Sequence, residues 1–427
     1  MIDIKDLIKR PDFYKKTSKD KGYNLDELID ILIQKKNFLN RLIKKRDNLR
    51  FEINKLSINK PSKLEINYLK KIKNKIKVIE DEISKLELEI SDSLKKIPNP
   101  ALDNVPIGES DKDNVVIRYF GDIKQSKNKT DYLNFSLNND LIDIKRASKI
   151  SGSRFAFLKN KLVLLEFAII NFVFDKLTNK EFINKVIEEF NLNVKNNEFI
   201  PILPPVFIKK EIMNGLGYLD SGLIDFFEIK ENNFYLIGTA EHSLVPYFKD
   251  EILNKEDLPI RFLGFSTCFR KEAGSYGKDT RGILRVHQFD KIEMISFCLP
   301  ENSINELNFL LAIEEKLMRL LELPYRVIER CTADLGHPTA KGFDVEVWLP
   351  SENKYRETHS CSLTTDYQSR RLNIRYRDKN ILKLVNVLNG TAFALGRVLI
   401  AILENHQHGE RVKIPKELIP YTNFTEI

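Results

Sequence analysis

The sequence is poor in what membrane insertion, export and metal capture require. Among its 427 residues no apolar run reaches the ~18 needed to span a bilayer; the best stretch, Leu162 to Phe174, is short and broken by Glu166. There are four cysteines, Cys268, Cys298, Cys331 and Cys361, spaced 30 or more apart and without a C-x-x-C pair. That spacing argues against a disulfide framework or zinc knuckle and for a reducing compartment. The start, MIDIKDLIKRPDF, places Asp3, Asp6 and Asp12 where a secretory signal needs a basic end and an apolar block. A cytoplasmic chain without a membrane partner is therefore expected. Neither G-x-x-x-x-G-K-[ST] nor G-x-G-x-x-G occurs, so the familiar phosphate loops are missing.

What the chain does have is a local excess of positive charge. Overall it carries 69 Lys+Arg against 61 Asp+Glu, a net +8, yet residues 35–80 alone hold +11 and the remainder about −3. A basic segment on a near-neutral body points to a polyanion partner, most often nucleic acid. The same region has a helical period. Leu69, Ile72, Ile76, Ile79, Ile83, Leu86 and Ile90 alternate steps of three and four, and Ile97 continues the phase. Before it, Leu28, Leu42, Leu49 and Leu56, helped by Ile31, Phe38, Leu39 and Ile53, form a less regular seam that Lys35 and Lys45 interrupt. Ser57 to Ser62, with Pro61, separates the two, and proline is not tolerated in a helix interior. The pattern predicts a long antiparallel helical hairpin, each helix roughly 45 Å long at 1.5 Å per residue. Two readings stay open: a coiled coil for oligomerisation, and an arm lying on an RNA backbone. The one-sided charge favours the arm, because a plain coiled coil mixes both signs on its flanks.

Ile97-Pro98-Asn99-Pro100 ends the helical pattern, and Val105-Pro106-Ile107-Gly108 with the polar stretch Glu109 to Asn114 reads as a linker. The expected division is 1–110 for the helical arm and 111–427 for a second domain. In that domain strand-like runs follow one another: Phe199 to Leu203, Phe234 to Ile237, Ile260 to Phe269, Val286 to Phe297, Tyr325 to Ile328 and Phe343 to Trp348. Few β-α-β alternations appear. The expected class is α+β, an antiparallel sheet flanked by helices.

Three stretches carry chemistry. Residues 261–297 read as strand, glycine-rich loop, strand, with Gly274, Gly277 and Gly282 beside Lys271, Lys278, Arg281 and Arg285. Period two puts Arg270 and Glu272 on one face, and Phe289, Lys291 and Glu293 on another. This suits a bound phosphate compound, although the same pattern fits an ordinary hairpin with solvated charges. In KYRETHSCSLTTDYQSRRLNIRYR, from Lys354, the set Glu357, His359, Ser360 and Ser362 offers a carboxylate for magnesium beside phosphates, or else a strand edge facing water. In LNGTAFALGRVLIAILEN, Arg397 at the start of a helix is a phosphate clamp or a surface residue.

Together and in this order the stretches resemble class II aminoacyl-tRNA synthetases, and among them the seryl-tRNA synthetases, over nearly the whole chain. FRKEAGSYGKDTRGILRVHQFDKIE, Phe269 to Glu293, is similar to motif 2. LNGTAFALGR is similar to motif 3, and the segment ending in Pro204-Pro205 to motif 1, which builds the dimer interface of that family. Gly238-Thr239-Ala240-Glu241 resembles the serine-site signature and the basic hairpin the tRNA-binding arm. One motif alone is weak; four in order beside an arm are specific.

The resemblance implies a serine–tRNA ligase. It would activate L-serine with ATP and pass the seryl group to tRNA(Ser), with tRNA(Sec) allowed as a second substrate, as a cytoplasmic homodimer. Catalysis would rest on Arg270 at the α-phosphate and Arg397 at the γ-phosphate. ATP would further meet Lys271, Glu272, Val286, Phe289, Glu357, Thr358, His359 and Ser360. Serine would meet Thr239, Ala240, Glu241, Arg270, Glu293 and Thr391. Glu357 and Ser360 would hold Mg2+. Three departures stand out. Glu357-Thr358-His359-Ser360 replaces the usual E-[IV]-S-S, Asn389-Gly390-Thr391-Ala392 replaces N-G-S-G, and Gly215-Leu216-Gly217-Tyr218-Leu219-Asp220 replaces G-T-G-Q-L-P.

Overall fold

The computed structural model describes residues 1–58, 62–123, 130–220, 225–272 and 281–427. Pro61, Gly274, Gly277 and Lys278, named above, lie outside these residues. The chain forms two compact units, Met1–Pro100 and Ala101–Ile427.

In the first unit two helices, α1 (Asp26–Leu56) and α2 (Lys63–Lys95), contain 31 and 33 residues. The expected hairpin is present, and cross-pairs give its sense. Lys35 meets Glu89 at 2.7 Å and Arg50 meets Glu80 at 2.5 Å, so one index rises as the other falls. A capping box starts α2: Ser62 Oγ accepts from Glu65 N at 3.3 Å, and Glu65 Oε2 accepts from Ser62 N at 2.7 Å. These bonds satisfy two donors that the first helical turn leaves open. The α2 seam is as expected, with Ile72, Ile76, Ile79, Ile83, Ile90 and Leu94 buried. The α1 seam is met in part: Leu39 and Leu42 are buried as expected, but Ile29 and Leu32 are buried in place of their neighbours Leu28 and Ile31. Ile29, Leu32, Leu39 and Leu42 are buried, whereas Ile31 and Phe38 are both 39% exposed. Apolar residues stand side by side at 28–29, 31–32 and 38–39, and a one-residue step turns ~100° around a helix. Periodicity alone cannot choose between such neighbours.

The unit boundary lies ten residues before the expected one. Residues read as a linker are tied into the second unit: Thr332 N donates to Pro106 O at 2.8 Å and Gly108 N to Thr332 Oγ1 at 3.2 Å. Polar side chains gave the segment its linker character, but its backbone is paired.

The second unit is built on an eight-stranded sheet. Its strands are β1 (Val115–Phe120), β2 (Ile200–Ile202), β3 (Ile260–Phe269), β4 (Gln288–Cys298), β5 (Tyr325–Glu329), β6 (Lys341–Leu349), β7 (Lys354–Leu363) and β8 (Asn386–Ala394). The order is β1-β5-β6-β7-β8-β4-β3-β2, antiparallel except for the β2–β3 pair. Three helices, α3 (Lys161–Leu177), α4 (Ser303–Leu320) and α5 (Leu395–Asn405), contribute to the main core together with Ile292 and Met294 of β4. Lys291 and Glu293 point the opposite way, as do Ile295 and Phe297, which enter a second apolar cluster. One sheet face is thus packed by helices, and the other is free to carry polar groups. Arg261 and Glu306 form a fully buried ion pair at 2.6 Å. Arg261 also donates to Asn197 O at 2.6 Å and its guanidinium carbon lies 4.0 Å from the Phe309 ring centre, so the buried charge is compensated. All four cysteines are free and buried. Among the described residues no helix is long and apolar enough to cross a membrane.

Candidate active site

Two β-bulges shape the polar face. Between β6 and β7, Asp344 pairs with Ser360 and Glu346 with Glu357, which leaves Thr358 as an extra residue. In a regular strand Glu357 and Ser360 would face opposite ways; the extra residue brings both to one side. Between β4 and β8, Ile292 pairs with Phe393 and Glu293 with Thr391, so Ala392 is extra, and Thr391 and Ala394 come to the same face.

These turns open onto a cleft of about 670 Å³, counting its solvent-open mouth. Arg270, Glu272, Val286, Phe289, Glu357, Thr358, Ser360, Thr391 and Arg397 all line it, as the sequence reading expects. Arg285 and Lys291 line it too. Four cations against two carboxylates make the cleft a place for a polyanion. Arg270 sits just beyond the end of β3. Its Nε donates to Gly238 O at 3.2 Å, and its guanidinium carbon lies 5.4 Å from the Phe289 ring centre. Arg285 bonds Glu272 Oε2 at 2.6 Å. Arg397, in the first turn of α5, donates to Glu357 O at 2.7 Å and lies 3.1 Å from Glu357 Oε2. Desolvation would raise the Glu357 carboxyl, but the Arg397 charge and hydrogen bond outweigh it and hold the group below the usual carboxylate range.

A cluster of buried polar side chains adjoins the cleft at Lys291. There Thr239 Oγ1 donates to Glu293 Oε2 at 3.1 Å, Lys291 forms an ion pair with the same carboxylate, and Lys291 Nζ lies 3.4 Å from Thr239 Oγ1. Glu241 Oε1 accepts from Tyr218 OH at 2.6 Å and from Gln368 Nε2 at 3.0 Å. Thr239, Glu241 and Glu293 are 5%, 4% and 1% exposed. Burial pushes both carboxyls up, while Lys291 pulls both back. A close backbone approach positions the segment. A Cβ on Gly264, which pairs with Glu293, would lie 2.5 Å from Leu244 and 3.2 Å from Ala240, so only glycine lets the Ala240–Leu244 turn sit against β3. His242 is neutral: burial and the charges of Arg270 and Lys291 lower it to about 3, and its Nδ1 accepts from Gly238 N at 3.2 Å.

Two expected contacts are corrected. His359 does not face the cleft. The bulge at Thr358 turns it to the other side, where it is 1% exposed, 5.1 Å from the Phe393 ring, with Nδ1 2.9 Å from Thr358 Oγ1. Lys271 is exposed and outside the cleft lining; its N donates to Asp225 O at 2.8 Å and its Nζ lies 6.0 Å from the Phe227 ring. Ala240 is buried and acts through its packing on Gly264.

A family model described as the class II tRNA synthetase core domain (G, H, P, S and T) matches residues 226–406. A serine–tRNA ligase of Dictyoglomus turgidum is 40% identical, over 100% of this chain and 99% of the relative. The chain belongs to the seryl-tRNA synthetase family. Among solved structures, seryl-tRNA synthetase from Pyrococcus horikoshii complexed with ATP superposes with a TM-score of 0.91 at 35% identity, covering 100% of this chain and 99% of that one. The cytoplasmic serine–tRNA ligase of Naegleria fowleri in complex with AMP gives 0.85 at 28% identity, covering 98% and 95%.

Against the seryl-tRNA synthetase pattern, the structure accounts for two departures. In Glu357-Thr358-His359-Ser360 the outer residues face the cleft and the histidine is core. In Gly215 to Asp220, Tyr218 reaches Glu241, and Asp220 pairs with Arg371 at 2.6 Å. Tyr218 and Gln368 were not predicted as site residues, and only the departure itself marked Tyr218; Arg285 was named among the cations of the glycine-rich loop but given no role. Lys291 was visible through its shared face with Phe289 and Glu293.

Proposed function

We infer that this chain is an ATP-dependent serine–tRNA ligase that joins L-serine to tRNA(Ser) in the cytoplasm. The observation that carries the reading is the cationic cleft bordered, at Lys291, by a buried cluster of two carboxylates and hydroxyls. The family membership and the ATP and AMP complexes of the two related structures support it. ATP lies in the cleft with its base against Phe289 and the Val286 backbone, its α-phosphate at Arg270 and its γ-phosphate at Arg397. Serine lies at this cluster, held by Thr239, Glu241 and Glu293 and closed by Thr391. The serine carboxylate attacks the α-phosphorus in line and pyrophosphate leaves. The 3′-terminal ribose hydroxyl of the tRNA then takes the seryl group from the adenylate. Neither step uses a protein nucleophile; positioning and fixed cations lower the barrier. Glu357 and Ser360 fit a magnesium ion: both are hard oxygen donors on one edge of the cleft, and magnesium commonly takes one or two protein oxygens beside phosphates. When bound, the ion would neutralise triphosphate charge.

The test is ATP–pyrophosphate exchange with each amino acid in turn. Serine is expected to support it. Alanine should be rejected by roughly 10⁴-fold, because buried partners of the missing hydroxyl would be left unpaired. A preference for another amino acid would overturn the assignment. Charging of tRNA(Sec) beside tRNA(Ser) tests the second acceptor.

A homodimer belongs to the same reading. Leu164 and Phe167 on α3 and Ile200 and Leu203 at the β2 edge are 53%, 59%, 49% and 77% exposed. Such residues on an edge strand and its neighbouring helix suit a self-complementary interface. Sedimentation should give a dimer, and Phe167→Glu with Leu203→Glu a monomer; a monomeric wild type at micromolar concentration would refute it.

A further inference from the structure

The two acids of the buried cluster are not equivalent. Glu293 is already neutralised, because Lys291 pairs with it and Thr239 donates to it. Glu241 has only neutral donors, the Tyr218 hydroxyl and the Gln368 amide, and both fall on Oε1. Its Oε2 takes no hydrogen bond from the described residues. The donors are themselves held. Gln368 Oε1 accepts from Thr364 Oγ1 at 3.1 Å, which fixes the amide so that Nε2 points at Glu241. The Tyr218 ring lies 5.1 Å from His242 and 6.5 Å from Phe226. Two donors on one oxygen fix both the rotation of a carboxylate and its charge, and direct its other oxygen to whatever enters.

We propose that Tyr218 and Gln368 are positioning residues that keep Glu241 ionised, with Oε2 presented to the α-ammonium of the amino acid, while Glu293 receives the hydroxyl. This rests on the serine-site reading above and deepens it. Among the described residues Glu241 has no cation in direct contact, so an incoming ammonium can pair with it; at Glu293 it would have to displace Lys291. The surroundings agree. Burial raises the Glu241 carboxyl, and the hydrogen bonds from Tyr218 and Gln368, then the charges of Lys291 and Arg270, oppose it. The acid Glu293 stands on the same side as Lys291, and His242 is uncharged.

The sign follows. Removing a donor raises the Glu241 pKa, so the charged form is lost at a higher pH as the solution is acidified. Tyr218→Phe removes one hydroxyl and keeps the ring. In serine-dependent exchange between pH 5.5 and 9, the acid limb of kcat/KM for serine should move up by about one to two units. The loss at low pH should be about 10-fold to 100-fold, shrinking as pH rises. KM for ATP should stay within about twofold. Gln368→Met, which removes the other donor, should shift the same limb in the same direction. An unmoved limb in both variants, or an equal loss at every pH with a raised KM for ATP, would overturn the proposal. Glu241→Gln separates the two layers. If it leaves serine affinity unchanged, the serine-site reading fails; if it abolishes affinity while Tyr218→Phe shifts nothing, only the positioning inference fails.

Discussion

Arg270→Ala should reduce serine-dependent ATP–pyrophosphate exchange by about 10³-fold or more, to the assay background. The reaction gathers negative charge on the α-phosphate as pyrophosphate departs, and Arg270 is the cation the proposed pose puts there. A preorganised donor at such a position acts mainly in the transition state, so kcat should fall more than KM for ATP rises. The side chain is poised without being structurally committed. Among the described residues its side chain makes one hydrogen bond, Nε to Gly238 O at 3.2 Å, and its guanidinium carbon lies 5.4 Å from the Phe289 ring centre. The melting temperature should therefore move little. Arg270→Lys should not restore the rate, since one ammonium cannot reproduce a planar two-donor grip on phosphate. Lys271→Ala is the internal control. It removes the same charge one residue away, but Lys271 lies outside the cleft, so exchange should stay within about threefold of wild type. Retained exchange in Arg270→Ala, or an equal collapse in Lys271→Ala, would contradict the assigned roles.

That contrast shows where the sequence could and could not be read. Period-two spacing put Phe289, Lys291 and Glu293 on one face, and the β3–β4 and β4–β8 registers agree. The resemblance alone put His359 at ATP; the bulge at Thr358 changes the parity of the strand there, and nothing in Glu357-Thr358-His359-Ser360 marks the extra residue. On α1 Leu39 and Leu42 were placed correctly, but at 28–29 and 31–32 the buried residue is the neighbour of the one expected, since paired apolar neighbours offer two seams. Tyr218 and Gln368 were beyond reach for another reason. They come from segments about 150 residues apart and meet on one oxygen of Glu241, a contact made by tertiary packing rather than local pattern. Residues 105–114 looked like a linker because composition reports side chains, while the bonds at Pro106 and Gly108 that tie this segment down are made by its backbone.

Shortening the helical hairpin should divide the two half-reactions. The cut is chosen from the cross-pairs: Lys35 faces Glu89, so removing residues 36–88 and joining the stubs by a short glycine-rich turn keeps the strands of the hairpin in register. Ile29, Leu32, Ile90, Leu94 and Ile97 remain to pack its base. Every residue assigned to ATP or serine belongs to the second unit, which has its own core, so exchange should stay within about twofold. Charging of tRNA should fall by about 10³-fold or more. The hairpin carries the chain's positive excess, and lysines that neutralise phosphates release counterions, which gives binding both its strength and its salt dependence. The intact enzyme should therefore lose tRNA affinity steeply as salt rises, and the shortened one should show a weaker, flatter dependence. A coiled coil serving only oligomerisation predicts the opposite pattern: a change in sedimentation, with charging per active site preserved. Normal charging by the shortened chain would remove the RNA-binding role from the arm and leave the catalytic reading standing.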